Sequence, residues 1–68
     1  MDSQYLLIQP QGSDFALLDH RPGSPDMTLH IGTEADCIAR ASLIVSGIGW
    51  ESVPVYSVQP DRTWKAIA

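Results

Sequence analysis

Cysteine is almost absent from this chain, with Cys37 alone among 68 residues. A single thiol excludes an intrachain disulfide and points to a reducing compartment. Cations are also scarce: four Lys and Arg stand against eight Asp and Glu, for a net charge of −4. Nucleic-acid binding needs a clustered basic footprint, and four scattered cations do not form one. The same shortage disfavours anionic membranes. A basic protein partner fits the sign of the charge. Charged residues of both signs reach only 18%, below the ~25% usual in soluble domains. Apolar surface is then harder to cover, which favours a partner surface. No apolar run approaches the ~20 residues of a membrane-spanning helix. The opening MDSQYLLIQP lacks the basic flank and long apolar region of a secretory signal. The expected location is the cytoplasm.

What remains is the composition of a folding domain. Hydrophobic residues make up 44%, including two Trp, two Tyr and one Phe. The chain is read as one small domain over residues 1–68. At this size a fold buries only ~60% of the surface its unfolded chain exposes. Without a disulfide, the expected help is a partner, either a second copy or another protein.

The two ends of the chain echo each other. YLLIQPQGSDFALL runs from Tyr5 to Leu18, and YSVQPDRTWKAI from Tyr56 to Ile67. Each carries Tyr, a β-branched residue, Gln-Pro, a short polar turn and a return through an aromatic residue. This is the grammar of a hairpin with a Pro-led turn. The first hairpin is expected over 4–19, with apolar residues on both faces of its opening strand, as in a strand covered on two sides. His20 to Asp26 holds two prolines and a glycine and reads as a mobile loop. Met27 to Ile31 reads as a short third strand. The closing hairpin is expected over 50–67, beginning with a strand from Trp50 to Val58.

Between the hairpins lies a helix, expected over about 33–46. Thr33 is placed to cap its first turn, and Glu34 and Asp36 suit the positive end of its dipole. Gly47 is placed as a left-handed stop, with Ile48 adding an apolar contact beyond it. At 100° per residue, Ala35, Ile38, Ala39, Ser42 and Val45 share one face, expected to lie on the sheet. Asp36 and Arg40 are spaced to pair across a turn. Cys37, Ala41 and Ile44 make a second apolar stripe, with Leu43 near the polar edge; this excess is expected either to be wrapped by the long loop or to be offered to a partner. The fold class is therefore α+β: a small antiparallel sheet of four to five strands, ββ(β)αββ, with one helix across one face.

Residues able to carry chemistry are few. Cys37 lies near the helix start, where a thiol's pKa is lowered, but Glu34 and Asp36 act against ionisation. It is expected to be buried and inert. Asp19, His20, Asp26, His30 and Cys37 are the ligand types present, and no pair has the spacing of a metal motif; no metal or other cofactor is expected. Asp14 and Asp19 are expected at the solvent-facing ends of one strand, not as a catalytic carboxylate pair. Gly47-Ile48-Gly49 follows a helix and lacks the context of a phosphate loop.

These features favour a non-catalytic, acidic protein-binding module. Its candidate contacts are Leu43 and Ile44 on the helix, Trp50, Tyr56 and Trp64 on the last hairpin, and Arg21 and Asp26 in the loop. A stand-alone inhibitor docking on a larger protein or nucleoprotein complex fits this size and charge. Counter-defence proteins of phages and mobile elements, such as anti-CRISPR proteins, are objects of that kind; the analogy is one of size and charge only. The alternatives are a homo-oligomeric accessory or structural subunit and a small thiol-dependent enzyme using Cys37.

Overall fold

A computed structural model describes residues 4–67. Residues 1–3 and 68 of the expected single domain lie outside the described residues. Six elements follow in order: β1 (Tyr5–Gln11), β2 (Asp14–His20), β3 (Met27–Gly32), α1 (Glu34–Val45), β4 (Val55–Val58) and β5 (Trp64–Ala66). The strands form one five-stranded sheet in the order β3-β2-β1-β4-β5, and α1 packs against β2, β3 and β1. The α+β class and the helix across one sheet face are as the sequence reads.

One pairing differs from an all-antiparallel sheet. β4 runs parallel to β1, with Leu6 beside Val55 and Ile8 beside Ser57. The reason is the helix. A tight turn reverses the chain, whereas a helical crossover returns it to the end where the previous strand began. β3 and β4 therefore share β1's direction, and the sheet is mixed.

The first turn is tighter than expected. β1 continues through Pro10, which pairs with Phe15, and the reversal falls on Gly12 and Ser13. Gly12 has φ 62°, the left-handed value that a two-residue hairpin asks of its first central residue. Pro10 is tolerated because β4 pairs only with Leu6–Ile8, leaving its missing N–H without a ladder to break. The second turn is Pro-led as expected: Gln59 C=O accepts from Arg62 N–H at 2.8 Å.

The main core cluster lies between sheet and helix, and Leu7, Ala16 and Leu18 are buried on the sheet's other face. Leu6, Ile8, Leu17 and Val55 from alternate strand positions meet Cys37 and Ala41 of α1, all 0–1% exposed. The expected helix face is half borne out: Ile38 and Val45 pack against the core, and Ala35, Ala39 and Ser42 do not. The Cys37–Ala41–Ile44 stripe faces the sheet, while Ala35, Ala39 and Ser42 face outward. Small Cys and Ala side chains let the helix approach the bulky Leu, Ile and Val of the strands. Two nearly equal apolar stripes left the sequence ambiguous, and the helix sits between them, with Cys37 and Ala41 deepest and Ile38, Ile44 and Val45 flanking.

The helix ends are half as expected. Thr33 caps the start, its Oγ1 accepting from Asp36 N–H at 3.1 Å. At the other end Ser46 is the C-cap with right-handed φ −78°, and the left-handed residue is Gly49 (φ 91°), not Gly47. The chain makes a further turn, with Gly47 C=O accepting from Trp50 N–H. Ile48, expected to close on the helix, is 99% exposed instead. The last strand region is shorter than expected, because Trp50 to Pro54 forms turn and coil before β4 begins at Val55.

Candidate functional site: the open face of the sheet

Strand alternation sends Leu6, Ile8, Leu17, Val55 and Ser57 toward the helix, and their neighbours toward the other side. On that other side Leu7 pairs with Leu18 and Tyr56, Tyr5 with His20, and Val58 with Trp64. Four rings collect there from four different strands. Tyr5 stacks on His20 at 4.4 Å between centroids, with 18° between planes. Tyr5 also meets Tyr56 edge-on at 5.9 Å and Trp64 at 5.5 Å, and Tyr56 and Trp64 lie 5.7 Å apart. These are the offset and edge geometries that the ring quadrupole favours. Trp64 is 49% exposed, so the cluster presents an aromatic surface on the sheet face opposite the helix.

Beside the rings the same face opens into a groove of about 430 Å³, lined by Leu7, Gln9, Val58, Gln59, Arg62 and Trp64, with Pro10 and Pro60 at its rim. Both Gln-Pro pairs of the sequence echo therefore line one groove. They meet because β1 and β4 are parallel neighbours, so equivalent segments end at the same edge of the sheet. The turn between β4 and β5 is fixed locally. Asp61 accepts from Thr63 N–H at 3.1 Å and from Thr63 Oγ1 at 2.6 Å. These bonds, the hydroxyl's first, hold its carboxyl below the ordinary aspartate range.

The expected contacts fall in three places. Tyr56 and Trp64 lie together on the open face. Trp50 does not join them: it packs against the helix-side core, with the Arg21 guanidinium 6.0 Å from its ring centroid. The segment before β4 is not a strand, so alternation from Tyr56 does not carry back to Trp50. On the helix, Leu43 is 71% exposed, but Ile44 is half-buried against the core. Leu43 lines a separate groove of about 500 Å³ with His30, Asp36, Ala39 and Arg40. The expected Asp36–Arg40 pair is not among the ion pairs of the described residues, which are His20–Asp26 and Arg21–Asp19.

The loop residues are tied inward. Asp26 meets His20 Nδ1 at 2.8 Å. Arg21 Nε donates to Asp19 Oδ2 at 3.0 Å, and Gln4 Nε2 donates to Asp19 Oδ1 at 3.0 Å. Asp19, expected in solvent, is only 5% exposed. It stands across from Leu6 on the helix side, and its partners make that burial tolerable. It lies ~17 Å along β2 from Asp14 at ~3.3 Å per residue, too far for two carboxylates to work on one bond.

Cys37 is fully buried, and its Sγ lies 3.6 Å from Phe15 C=O. Burial pushes its pKa up from 9.0; the Gly32 amide opposes this, and Asp36, Asp14 and Glu34 reinforce it. A protonated, enclosed thiol is a poor nucleophile. Among the described residues no three His, Cys, Asp or Glu side chains gather closely enough to hold a metal. No helix of the described residues is long and apolar enough to cross a membrane. Tyr5, His20 and Arg62 are the members of the open face that the sequence reading passed over. The echo itself was the available signal, since Tyr5 stands in it where Tyr56 does.

No family model, curated protein or solved structure matches the chain. Its function has to be argued from its own residues.

Proposed function

We propose that this chain is a non-catalytic protein-binding module that docks through the open face of its sheet. One observation carries the reading. Among the described residues a helix covers one face of the five-stranded sheet, and the other face gathers Tyr5, His20, Tyr56 and Trp64 beside a groove. Tyr and Trp bring large rigid contact area at small entropic cost and dominate interface hot spots. A small acidic domain of this kind suits an inhibitor that docks on a larger protein or nucleoprotein complex in the cytoplasm. The counter-defence proteins of phages and mobile elements remain an analogy of size and charge.

The test is capture of partners from the cells that carry the sequence, comparing Trp64→Glu with Leu43→Glu, each checked by thermal melting. Loss of the captured protein with Trp64→Glu alone supports the open face. Loss with Leu43→Glu alone, both variants being folded, moves the site to the helix groove.

A second reading is self-association. β3 is a free edge with Met27 63% and Ile31 51% exposed, and unpaired edges invite pairing with another copy. Light scattering on the purified protein decides: a mass that doubles with concentration favours this reading, and a constant monomer mass excludes it.

A further inference from the structure

Arg62 stands out on this face for its backbone. Its φ is 70°, the only left-handed value among the described non-glycine residues. The loop is a Pro60-led turn followed by one left-handed residue, and that last position is the one glycine fills best. Arginine there carries strain of the kind kept where a side chain has a task. Arg62 lines the groove with Trp64, Gln9 and Gln59. Among the described residues, Arg62 is in neither ion pair and no acid lines the groove. Lys65, three residues on in β5, pairs with Ser57 and so lies on the helix side of the sheet. Asp61, the acid nearest in sequence, is occupied by Thr63. On a chain of net charge −4, Arg62 is the one cation among the described residues that line this groove.

We infer that the groove takes an extended acidic segment of a partner protein, with a carboxylate on the Arg62 guanidinium and an apolar side chain against Trp64. The inference rests on the open face being the docking surface, and it names the partner's chemistry. β5 is an outer strand of the sheet. Its ladder bonds to β4 use alternate residues: Gln59 N–H donates to Thr63 C=O, and Ile67 N–H to Val55 C=O. In that alternation the backbone groups of Trp64 and Ala66 point to the free edge, so a segment running from the groove across Trp64 meets unpaired backbone donors and acceptors there. Such a segment places alternate side chains on the aromatic face, next to Trp64 and Arg62. Arginine matches a carboxylate with two parallel N–H donors. A polyanion such as single-stranded nucleic acid shares the aromatic and arginine chemistry, but needs a run of cations along its backbone, where the groove offers Arg62 alone.

The experiment is amide and indole NMR on the labelled full chain. The probes are a short peptide alternating valine and glutamate, its valine–lysine counterpart, and a short oligothymidylate. The glutamate peptide is expected to shift the Trp64 indole and the Arg62 and Lys65 amides in a saturable, salt-sensitive way. Its affinity should fall at least tenfold in Arg62→Gly, which suits the turn, and Arg62→Glu should reverse the preference toward the lysine peptide. Equal shifts with both peptides overturn the inference and leave the docking face standing. No shift with any probe overturns it as well, and the capture experiment then judges the face by itself. Stronger shifts with oligothymidylate overturn it in favour of nucleic acid.

Discussion

Replacing Arg62 with glycine is expected to make the protein more stable while weakening what it binds. The left-handed conformation costs an L-residue ~1–2 kcal/mol, and glycine escapes that cost. Glycine also gives the unfolded chain more freedom, which returns ~0.4–1 kcal/mol to the unfolded state. The guanidinium forms no ion pair among the described residues, and Arg62 is exposed, so little packing is lost with it. The balance is a gain of roughly 0.5–1 kcal/mol. In a domain of this size that is an upward shift in Tm of about 2–8 °C. Differential scanning calorimetry or urea melts read it directly. Arg62→Ala is the control, since it removes the guanidinium but keeps the strained backbone, and it should gain nothing. A Tm that falls in Arg62→Gly would refute the reasoning, because the arginine would then be there to hold the hairpin. A gain in stability without loss of peptide binding would keep the backbone argument and remove the reason for the arginine.

Other expectations follow from the core and its edges. Leu43→Glu should change stability by no more than ~0.5 kcal/mol, whereas Ile44→Glu places a carboxylate against the core and should cost ~2 kcal/mol or more in urea melts. Thr33→Ala should cost ~1 kcal/mol through loss of the cap on α1; an unchanged melt would mean that the Asp36 amide finds water as easily. Asp19→Ala removes a buried acceptor of two side-chain donors and should cost ~2 kcal/mol, with increased hydrogen exchange in the loop that Arg21 tethers. Cys37 gives a pH signature. Its folded pKa lies above the unfolded value of 9.0, so raising the pH through 9.0 ionises the thiol in the unfolded chain first. Stability should therefore decline above that pH in the native protein and decline less in Cys37→Ala, as urea melts on either side of it would show. Thiol labelling under native conditions should be slow and should speed up only as the fold opens.

The architecture was legible where local rules decide. Thr33, the Pro60 turn and the alternation of β1 and β2 follow from capping, fixed φ and the two-residue period of a strand. What failed depended on partners distant in sequence. The two helix stripes, Ala35–Ile38–Ala39 and Cys37–Ala41–Ile44, differ little in hydrophobicity, and the sheet takes Cys37 and Ala41 with Ile38, Ile44 and Val45 around them. The parallel β1–β4 pairing follows from counting chain reversals, a step that the matching hairpins obscured. Asp19 lies opposite Leu6 on the buried side, where alternation alone would place it. Its burial was hidden because the compensating donors, Gln4 and Arg21, lie outside the strand. The candidate site was half legible: Tyr56 and Trp64 were visible as a platform. Tyr5 and His20 join them only through strand register, and the importance of Arg62 lies in a backbone angle that side-chain identity does not reveal.

The central claim is that the open aromatic face meets a partner protein. Photo-crosslinking tests it most directly, with a benzophenone side chain placed at Val58 in the groove or at Ala39 on the outer face of α1, in the cells that carry the sequence. The expected result is a discrete adduct with a second protein from Val58 and none from Ala39. An adduct from Ala39 alone, or from Val58 only with another copy of this chain, would contradict it.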